Sequence, residues 1–237
     1  MPKVKRFIQV AHRWLGLLLF TQVVVWMASG VIMSWFPIEL VKGETATLES
    51  YPLSLDAVSY ASPGGVIAQM EDVKEVRLKR GFNGVLYEVT SASETAIFNA
   101  HTGQKLSPIN EKLARSIARK DFVGDAEISS LKLLFKTPDE YRGPLPVWQA
   151  KFEDKNETRL YISPSTAEVV ARRNRVWRLY DFFWMLHIMD YEEREDVNNP
   201  LIKAASVTGL LFALSGVFLI MVRLKSGRYL KDLKRKE

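Results

Sequence analysis

The 237-residue sequence contains no cysteine and only three histidines. The absence of cysteine excludes disulfide bonds, thiol catalysis, thiolate metal sites and the covalent attachment of a c-type haem. The sequence also lacks the H-E-x-x-H motif of metalloproteases, the G-x-S-x-G motif of serine hydrolases and a glycine-rich phosphate loop. Catalysis by side chains alone is therefore not expected, and any haem would have to be held non-covalently.

Two long apolar runs lie near the ends of the chain. They cover 14–36 and 204–222, and each is close to the roughly 20 helical residues that cross about 30 Å of hydrocarbon. The first run is longer than the roughly 7 to 15 apolar residues of a signal peptide, and it ends in Ser-Trp-Phe-Pro rather than in a small-x-small cleavage site. We therefore predict two transmembrane helices, over 14–36 and 200–222, in contact with a lipid bilayer.

Lysines and arginines flank the two runs on their outer sides. Short basic flanks stay in the cytoplasm, so the N-terminus 1–13 and the basic tail 223–237 are predicted to be cytoplasmic. The central segment then lies on the other side, which for a bacterial inner-membrane protein is the periplasm. This segment carries slightly more acidic than basic residues, so the net charge of +6 belongs to the flanks, and nucleic acid is not expected as a partner.

The central segment contains an internal repeat, with the two copies about sixty residues apart. The corresponding stretches are 85–87, 94–98 and a turn at 101–104 in the first copy, and 147–149, 157–161 and a turn at 165–168 in the second. Repetition at this spacing indicates a duplicated supersecondary unit. We place the first unit at 37–106 and the second at 107–174.

A helix is expected before the strands in each copy. In the first copy, Ser54 is a candidate cap for a helix that begins at Leu55 and ends before Pro63. In the second copy, Ser107 is a candidate cap and Pro108 the first helical residue. Alternating apolar residues predict strands over 73–78, 85–89, 128–135, 147–152 and 159–162. The fold class is therefore α+β, with one helix against a small antiparallel sheet in each unit.

Two further segments connect these elements. Residues 139–146 are expected to form a long surface loop between two strands, and a loop of this length is often functional or mobile. Aromatic residues crowd 175–191, which is too short to cross the bilayer, so 175–199 is predicted to be an interfacial helix at the outer membrane surface followed by a turn. Asn199 is expected to cap the second span, with Pro200 as its first residue.

The three histidines occupy different settings. His101 lies in a turn and is expected to have a structural role. His12 lies at the start of the first span, and Gly16, one helical turn further, leaves room for a flat ring; His187 lies in the interfacial helix. A histidine near membrane depth suggests a function. The spacing is equally consistent with His12 among lipid headgroups beside Arg13 and with His187 as an interfacial side chain.

The two membrane-associated histidines are expected to be far apart. His187 is placed on the outer side, at the level of Phe36, which follows His12 by twenty-four helical residues. At 1.5 Å for each residue, the separation is about 36 Å. One metal ion cannot bind both side chains.

These stretches resemble the PepSY-associated transmembrane family of bacterial inner-membrane proteins. The matching residues are His12, Trp14 and Gly16 in the pattern H-x-W-x-G, Ser29-Gly30, Thr102-Gly103, Leu186-His187 and Ser215-Gly216. The resemblance covers both spans and the central domain, and it implies that the repeated α+β units are PepSY-like. Their order along the chain carries the resemblance, because no single motif is specific.

Larger members of this family are four-span proteins in which histidines hold b-type haem and electrons cross the membrane to reduce ferric siderophores. By resemblance, His12 and His187 match two of those histidines, and Gly16 would line the inner site. Haem b between His12 pairs and His187 pairs of a homodimer would make the chain an accessory in haem-linked transmembrane electron transfer, with a link to iron uptake. Met185 or Met189 are alternative outer ligands.

A second function is compatible with the same sequence. The chain has two spans and no nucleotide-binding domain, unlike the larger relatives, so an enzymatic activity is left open. An anchored pair of PepSY-like units could instead act without a cofactor, as a regulatory or binding module. In that case the loop 139–146 would contact a periplasmic protein or redox partner.

The predicted topology can be tested with reporter fusions. Because the basic flanks hold both ends in the cytoplasm, alkaline phosphatase fused after Gly103 should be active and alkaline phosphatase fused after Gly227 inactive. A cytoplasmic reporter fused at the same two positions should give the opposite pattern. Phosphatase inactivity at Gly103 would contradict the whole arrangement.

Overall fold

A computed structural model describes residues 2–44, 59–82 and 84–225, and the chain divides into two compact units. The helical unit comprises Met1–Phe36 and Leu179–Glu237, and the mixed unit comprises Pro37–Arg178. The helices within the described residues are α1 (Pro2–Trp35), α2 (Ile38–Lys42), α3 (Pro63–Ile67), α4 (Glu111–Asp121), α5 (Arg175–Ile188) and α6 (Pro200–Lys225). The strands are β1 (Val73–Gly81), β2 (Gly84–Ser91), β3 (Thr95–Asn99), β4 (Ile128–Leu134), β5 (Val147–Phe152), β6 (Arg159–Ile162) and β7 (Val169–Arg173).

The helical unit is built around α1 and α6, which pack against each other. Both helices are long and apolar enough to cross a membrane. Most of their large apolar side chains point outward, such as Leu18 and Leu210, as expected for helices whose surroundings are lipid rather than water. Leu19 and Ser29 of α1 are buried against neighbouring helices. The fold is therefore α+β with two candidate membrane-spanning helices, as the sequence predicts.

The mixed unit contains two antiparallel meanders. The first sheet has the order β1-β2-β3 and the second the order β4-β5-β6-β7. Both first strands carry a register irregularity near their start, between Val73 and Glu75 in β1 and between Ile128 and Ser130 in β4. This common feature agrees with the duplication indicated by the sequence.

A single main core joins the two sheets. It includes Leu86 and Ile97 from the first sheet, Ile117 from α4, and Leu160 and Ile162 from the second sheet. The buried positions of α4 recur at helical spacing, since Ala114, Ile117 and Ala118 lie on one face. The two sheets therefore share one apolar interior within the mixed unit. Their identity as PepSY-like units remains a prediction.

Several predicted boundaries change. Asn110, not Ser107, caps α4, because its side-chain oxygen accepts the N–H of Leu113 at 2.9 Å. Pro63 begins the short helix α3 instead of following a helix, in agreement with the preference of proline for a first turn.

The other predicted elements have different outcomes. Ser54 and Leu55, the predicted start of the first helix, lie outside the described residues. The predicted strands do not include β3 and β7, although the repeated stretch 94–98 and the turn 165–168 mark their positions. At the start of α6 the expectation is confirmed, since Asn199 accepts the N–H of Ile202 at 3.0 Å and Pro200 opens the helix.

The cap of α4 gives a test of this fold. Asn110→Ala should lower the free energy of unfolding by about 1 kcal/mol, because the N–H of Leu113 loses its acceptor. Denaturant unfolding of the detergent-solubilised chain measures this change. The exposed neighbour Lys112, changed to Ala, is the matched control and should have little effect. An equal loss in both variants would contradict the assignment of the cap.

Candidate functional site

His187, near the end of α5, contacts α1. Its Nδ1 lies 2.9 Å from the hydroxyl oxygen of Ser29, a fully buried residue. The indole N–H of Trp26 donates to the backbone carbonyl of His187 at 2.9 Å. Gly30 follows Ser29, and a Cβ at this position would lie 3.9 Å from Cε1 of His187. One turn of α1 therefore holds both the ring and the backbone of this histidine.

His12, near the start of α1, makes the same kind of contact with α6. Its Nδ1 lies 2.7 Å from the hydroxyl oxygen of Ser215. Gly216 follows Ser215, and a Cβ there would lie only 3.2 Å from Cε1 of His12. The ring of Phe212 stacks on the imidazole, with centroids 4.3 Å apart and planes 5° from parallel.

The two sites have one arrangement in common, which we call the histidine–serine pair. In each pair, the Nδ1 of a histidine on one helix meets the hydroxyl of a Ser-Gly dipeptide on another helix. The sequence motifs single out His12, His187 and both Ser-Gly dipeptides, but they do not predict that these residues meet. The signal that could have suggested it is the presence of two histidines and two Ser-Gly dipeptides in or beside the apolar helices.

The structure also assigns the space beside Gly16. A Cβ at Gly16 would lie 2.9 Å from Cε2 of Phe212, so the missing side chain does leave room for a flat ring. That ring is the phenyl group of Phe212, which in turn stacks on His12. Gly16 thus contributes to the position of His12 through Phe212.

The separation of the two histidines is smaller than the sequence suggested. His187 contacts Ser29 and Trp26 of α1 and so lies about two helical turns before the level of Phe36. Ser29 follows His12 by seventeen residues, which corresponds to about 26 Å along the helix. The conclusion that one metal ion cannot bind both imidazoles still holds.

The end of α5 is fixed by the loop that follows it. The carboxylate of Asp190 accepts backbone N–H groups of residues 192, 193, 195 and 196. These hydrogen bonds, chiefly the one from Asp196, outweigh partial burial and lower the pKa of Asp190. The side-chain amide of Asn199 donates to the carbonyl of Ile188 at 2.8 Å. The loop therefore caps the helix next to His187.

His101 is placed differently. Its backbone N–H and that of Thr102 donate to the side chain of Asn99 at 2.9 and 3.0 Å, which forms the turn. The exposed imidazole stacks on Tyr60 at a centroid distance of 5.1 Å. This arrangement is a surface turn, and within the described residues it shows no counterpart of the histidine–serine pair.

The mixed unit contains a buried carboxylate that sequence analysis missed. Glu140, which is 8% exposed, accepts hydrogen bonds at 2.8 Å from Tyr161, Arg159 and Arg178. Burial by itself would raise the pKa of Glu140, but the donors, first Tyr161 and then the two arginines, outweigh it and lower the pKa. Burial and the adjacent carboxylate raise the pKa of Tyr161.

This carboxylate changes the interpretation of the loop 139–146. The loop was expected at the surface, yet Glu140 and Tyr141 are buried, and the ring of Tyr141 stacks on Tyr161 at 4.7 Å. The last three residues of the loop, 144–146, border an open groove, which Val170 of β7 also lines. The loop is thus fastened to the sheet at one end and exposed at the other.

The ion pairs of Glu140 predict a pH dependence of stability. Because its pKa is lowered in the folded state, the stabilisation is complete above the ordinary pKa of 4.5 and is lost as the pH falls through the lowered value. Glu140→Gln should cost about 3 kcal/mol at neutral pH, since two arginines lose their counter-charge, and should flatten the acid limb. Thermal unfolding from pH 7 to pH 3 measures both effects. Glu153→Gln, at an exposed position, is the control; an unchanged acid limb in Glu140→Gln would contradict the assignment.

No protein-family profile, curated protein or solved structure matches this chain.

Proposed function

We propose that the chain is a membrane-anchored accessory of haem-linked transmembrane electron transfer, in which His12 and His187 hold b-type haem in a homodimer. Both ends of the chain would lie in the cytoplasm and the mixed unit in the periplasm of a bacterium. The haem would supply an iron that gains and loses one electron. The residues of the chain would hold it, exclude water and set its two positions.

The observation that carries this proposal is the use of Nδ1 in both histidine–serine pairs. A histidine that binds a metal through one ring nitrogen usually makes a hydrogen bond through the other. In His12 and in His187, the hydrogen bond to serine occupies Nδ1, so Nε2 is the nitrogen that remains for a ligand. A neutral imidazole with this hydrogen bond is an ordinary axial ligand of haem.

The surroundings of each imidazole support the same role. Phe212 fixes the plane of the His12 ring by stacking, and Trp26 fixes the backbone of His187. Both rings are half-buried among apolar helices, where little water competes for the nitrogen. The fit is therefore good for a ligand at Nε2, while the space beside Gly16 is filled by Phe212 and is left out of the proposed haem site.

Each site needs a second ligand from outside the chain or from a methionine. The imidazoles lie about 26 Å apart along α1, so one chain supplies one histidine to each site. A two-fold axis would bring the second copy of each histidine to the same site, and symmetric dimers are the commonest oligomers. The proposed homodimer would thus supply the second histidine ligand of each site.

The groove of the mixed unit favours a second candidate function. It is bordered by Tyr141, Leu145 and Val170 together with several prolines and hydroxyl side chains. A protein partner could bind this surface without any cofactor. The chain would then be a binding or regulatory module anchored in the inner membrane.

Absorption spectroscopy separates the two functions. The chain, expressed with haem supply and purified in detergent, should show a Soret band. His12→Ala and His187→Ala should each remove a separable part of it, because each removes the ligand of one site, and the double variant should remove all of it. His101→Ala is the matched control and should keep the full absorbance.

Two results of the absorption measurement would contradict haem binding by these histidines. A colourless wild-type protein, or full absorbance in both single variants, would exclude the haem-binding role of these histidines. The binding-module function would then be the better account. Circular dichroism of each variant shows whether it has kept its fold.

A further inference from the structure

The hydrogen-bond distances in the histidine–serine pairs indicate which ring nitrogen of each imidazole carries the proton. We infer that Ser29 and Ser215 are positioning residues that hold His187 and His12 in the tautomer with the proton on Nδ1, so that both imidazoles present a bare electron pair at Nε2. The assignment of this electron pair to haem iron rests on the proposed function. The tautomer itself follows from the oxygen and nitrogen positions.

Ser29 has one hydroxyl proton and several oxygen neighbours. Its Oγ lies 2.7 Å from the carbonyl oxygen of Val25 and 3.1 Å from that of Trp26. A carbonyl oxygen can only accept a hydrogen bond, and two oxygens at 2.7 Å without a proton between them would repel each other. The hydroxyl proton therefore points along the helix toward these carbonyls.

The direction of that proton determines the proton on His187. Because the hydroxyl proton of Ser29 is used, its oxygen can only accept the hydrogen bond that joins it to Nδ1 of His187 at 2.9 Å. Nδ1 must then be the donor and must carry the proton. In a neutral imidazole the other nitrogen, Nε2, has none.

Ser215 has the same arrangement of hydrogen bonds at the other site. Its Oγ lies 2.7 Å from the carbonyl oxygen of Phe212, to which it donates. The same oxygen lies 2.7 Å from Nδ1 of His12, and it has no second proton to give. His12 is therefore also protonated at Nδ1, and the two sites reach the same state on different helices.

This state defines the chemical class of ligand. An imidazole with a proton on Nε2 would donate a hydrogen bond, for example to a carboxylate. An imidazole with a bare Nε2 instead accepts a hydrogen bond or binds a metal ion, and a hydrogen bond given from Nδ1 makes Nε2 a stronger metal ligand. Both sites therefore disfavour ligands that can only accept a hydrogen bond and suit an electron-pair acceptor such as a metal ion.

The tautomers can be read without any bound haem. Solid-state NMR of haem-free, 15N-histidine-labelled protein in lipid bilayers distinguishes protonated from unprotonated ring nitrogens, so it separates the two neutral tautomers from each other and from the doubly protonated ring. We expect a protonated Nδ1 and an unprotonated Nε2 for His12 and His187. Exposed His101, which has no serine at its ring in the part of the chain that the structure describes, is the internal control and should show a mixture. The histidine-to-alanine variants assign the signals.

Variants of the two serines test the cause. Ser29→Ala should shift the signals of His187 alone, and Ser215→Ala those of His12 alone, with part of the population moving its proton to Nε2. Ser29→Thr and Ser215→Thr retain the hydroxyl and should restore the wild-type pattern. In haem-loaded protein, each alanine variant should weaken haem binding at its own site by 10- to 100-fold.

The results separate this inference from the proposed function. A protonated Nε2 at His12 or His187 in the wild type overturns the inference, even if the protein binds haem. Unchanged tautomers in both alanine variants overturn the role of the serines. The expected tautomers in a protein that never binds haem would retain the inference and remove the proposed function. The NMR spectrum of the wild-type protein tests the tautomers without any substitution. A poorly folded variant therefore cannot affect that result.

Discussion

The hydrogen bond between an imidazole and a serine hydroxyl is the interaction on which the helical unit depends. A polar side chain among apolar helices is costly unless it finds a partner, and the serine partner of each imidazole lies on another helix. The pair of His12 and Ser215 joins α1 to α6, and the pair of His187 and Ser29 joins α1 to α5. The bond that satisfies the imidazole therefore also fixes the place where two helices meet.

The features predicted from the sequence are those with a local cause. Runs of apolar residues mark α1 and α6, alternating residues mark most of the strands, and Asn199 with Pro200 marks the start of α6. The histidine–serine pairs could not be predicted, because their partners are 158 and 203 residues apart in sequence. No local sequence pattern predicts which serine contacts which imidazole.

In the mixed unit, the contacts of a buried charged residue were likewise not predictable from local sequence. Glu140 stands in a loop rich in charge and proline, a composition typical of a solvated segment, and only the fold brings Arg159, Tyr161 and Arg178 to it. The cap of α4 was misplaced for a different reason, since Ser107 and Asn110 both suit a cap by type. The strand backbone decides between them, because the hydroxyl of Ser107 accepts the N–H of Ile97.

The two sites are linked through the register of α1. This helix supplies the histidine of one pair, His12, and the serine of the other, Ser29. A shift of α1 by one residue would turn its side chains by about 100° and move them by about 1.5 Å, which would break both hydrogen bonds together. The register of α1 therefore has to be correct for both pairs to form. A substitution that leaves this register unchanged still affects only its own pair, so the two proposed haem sites depend on one helix although no ligand is common to both.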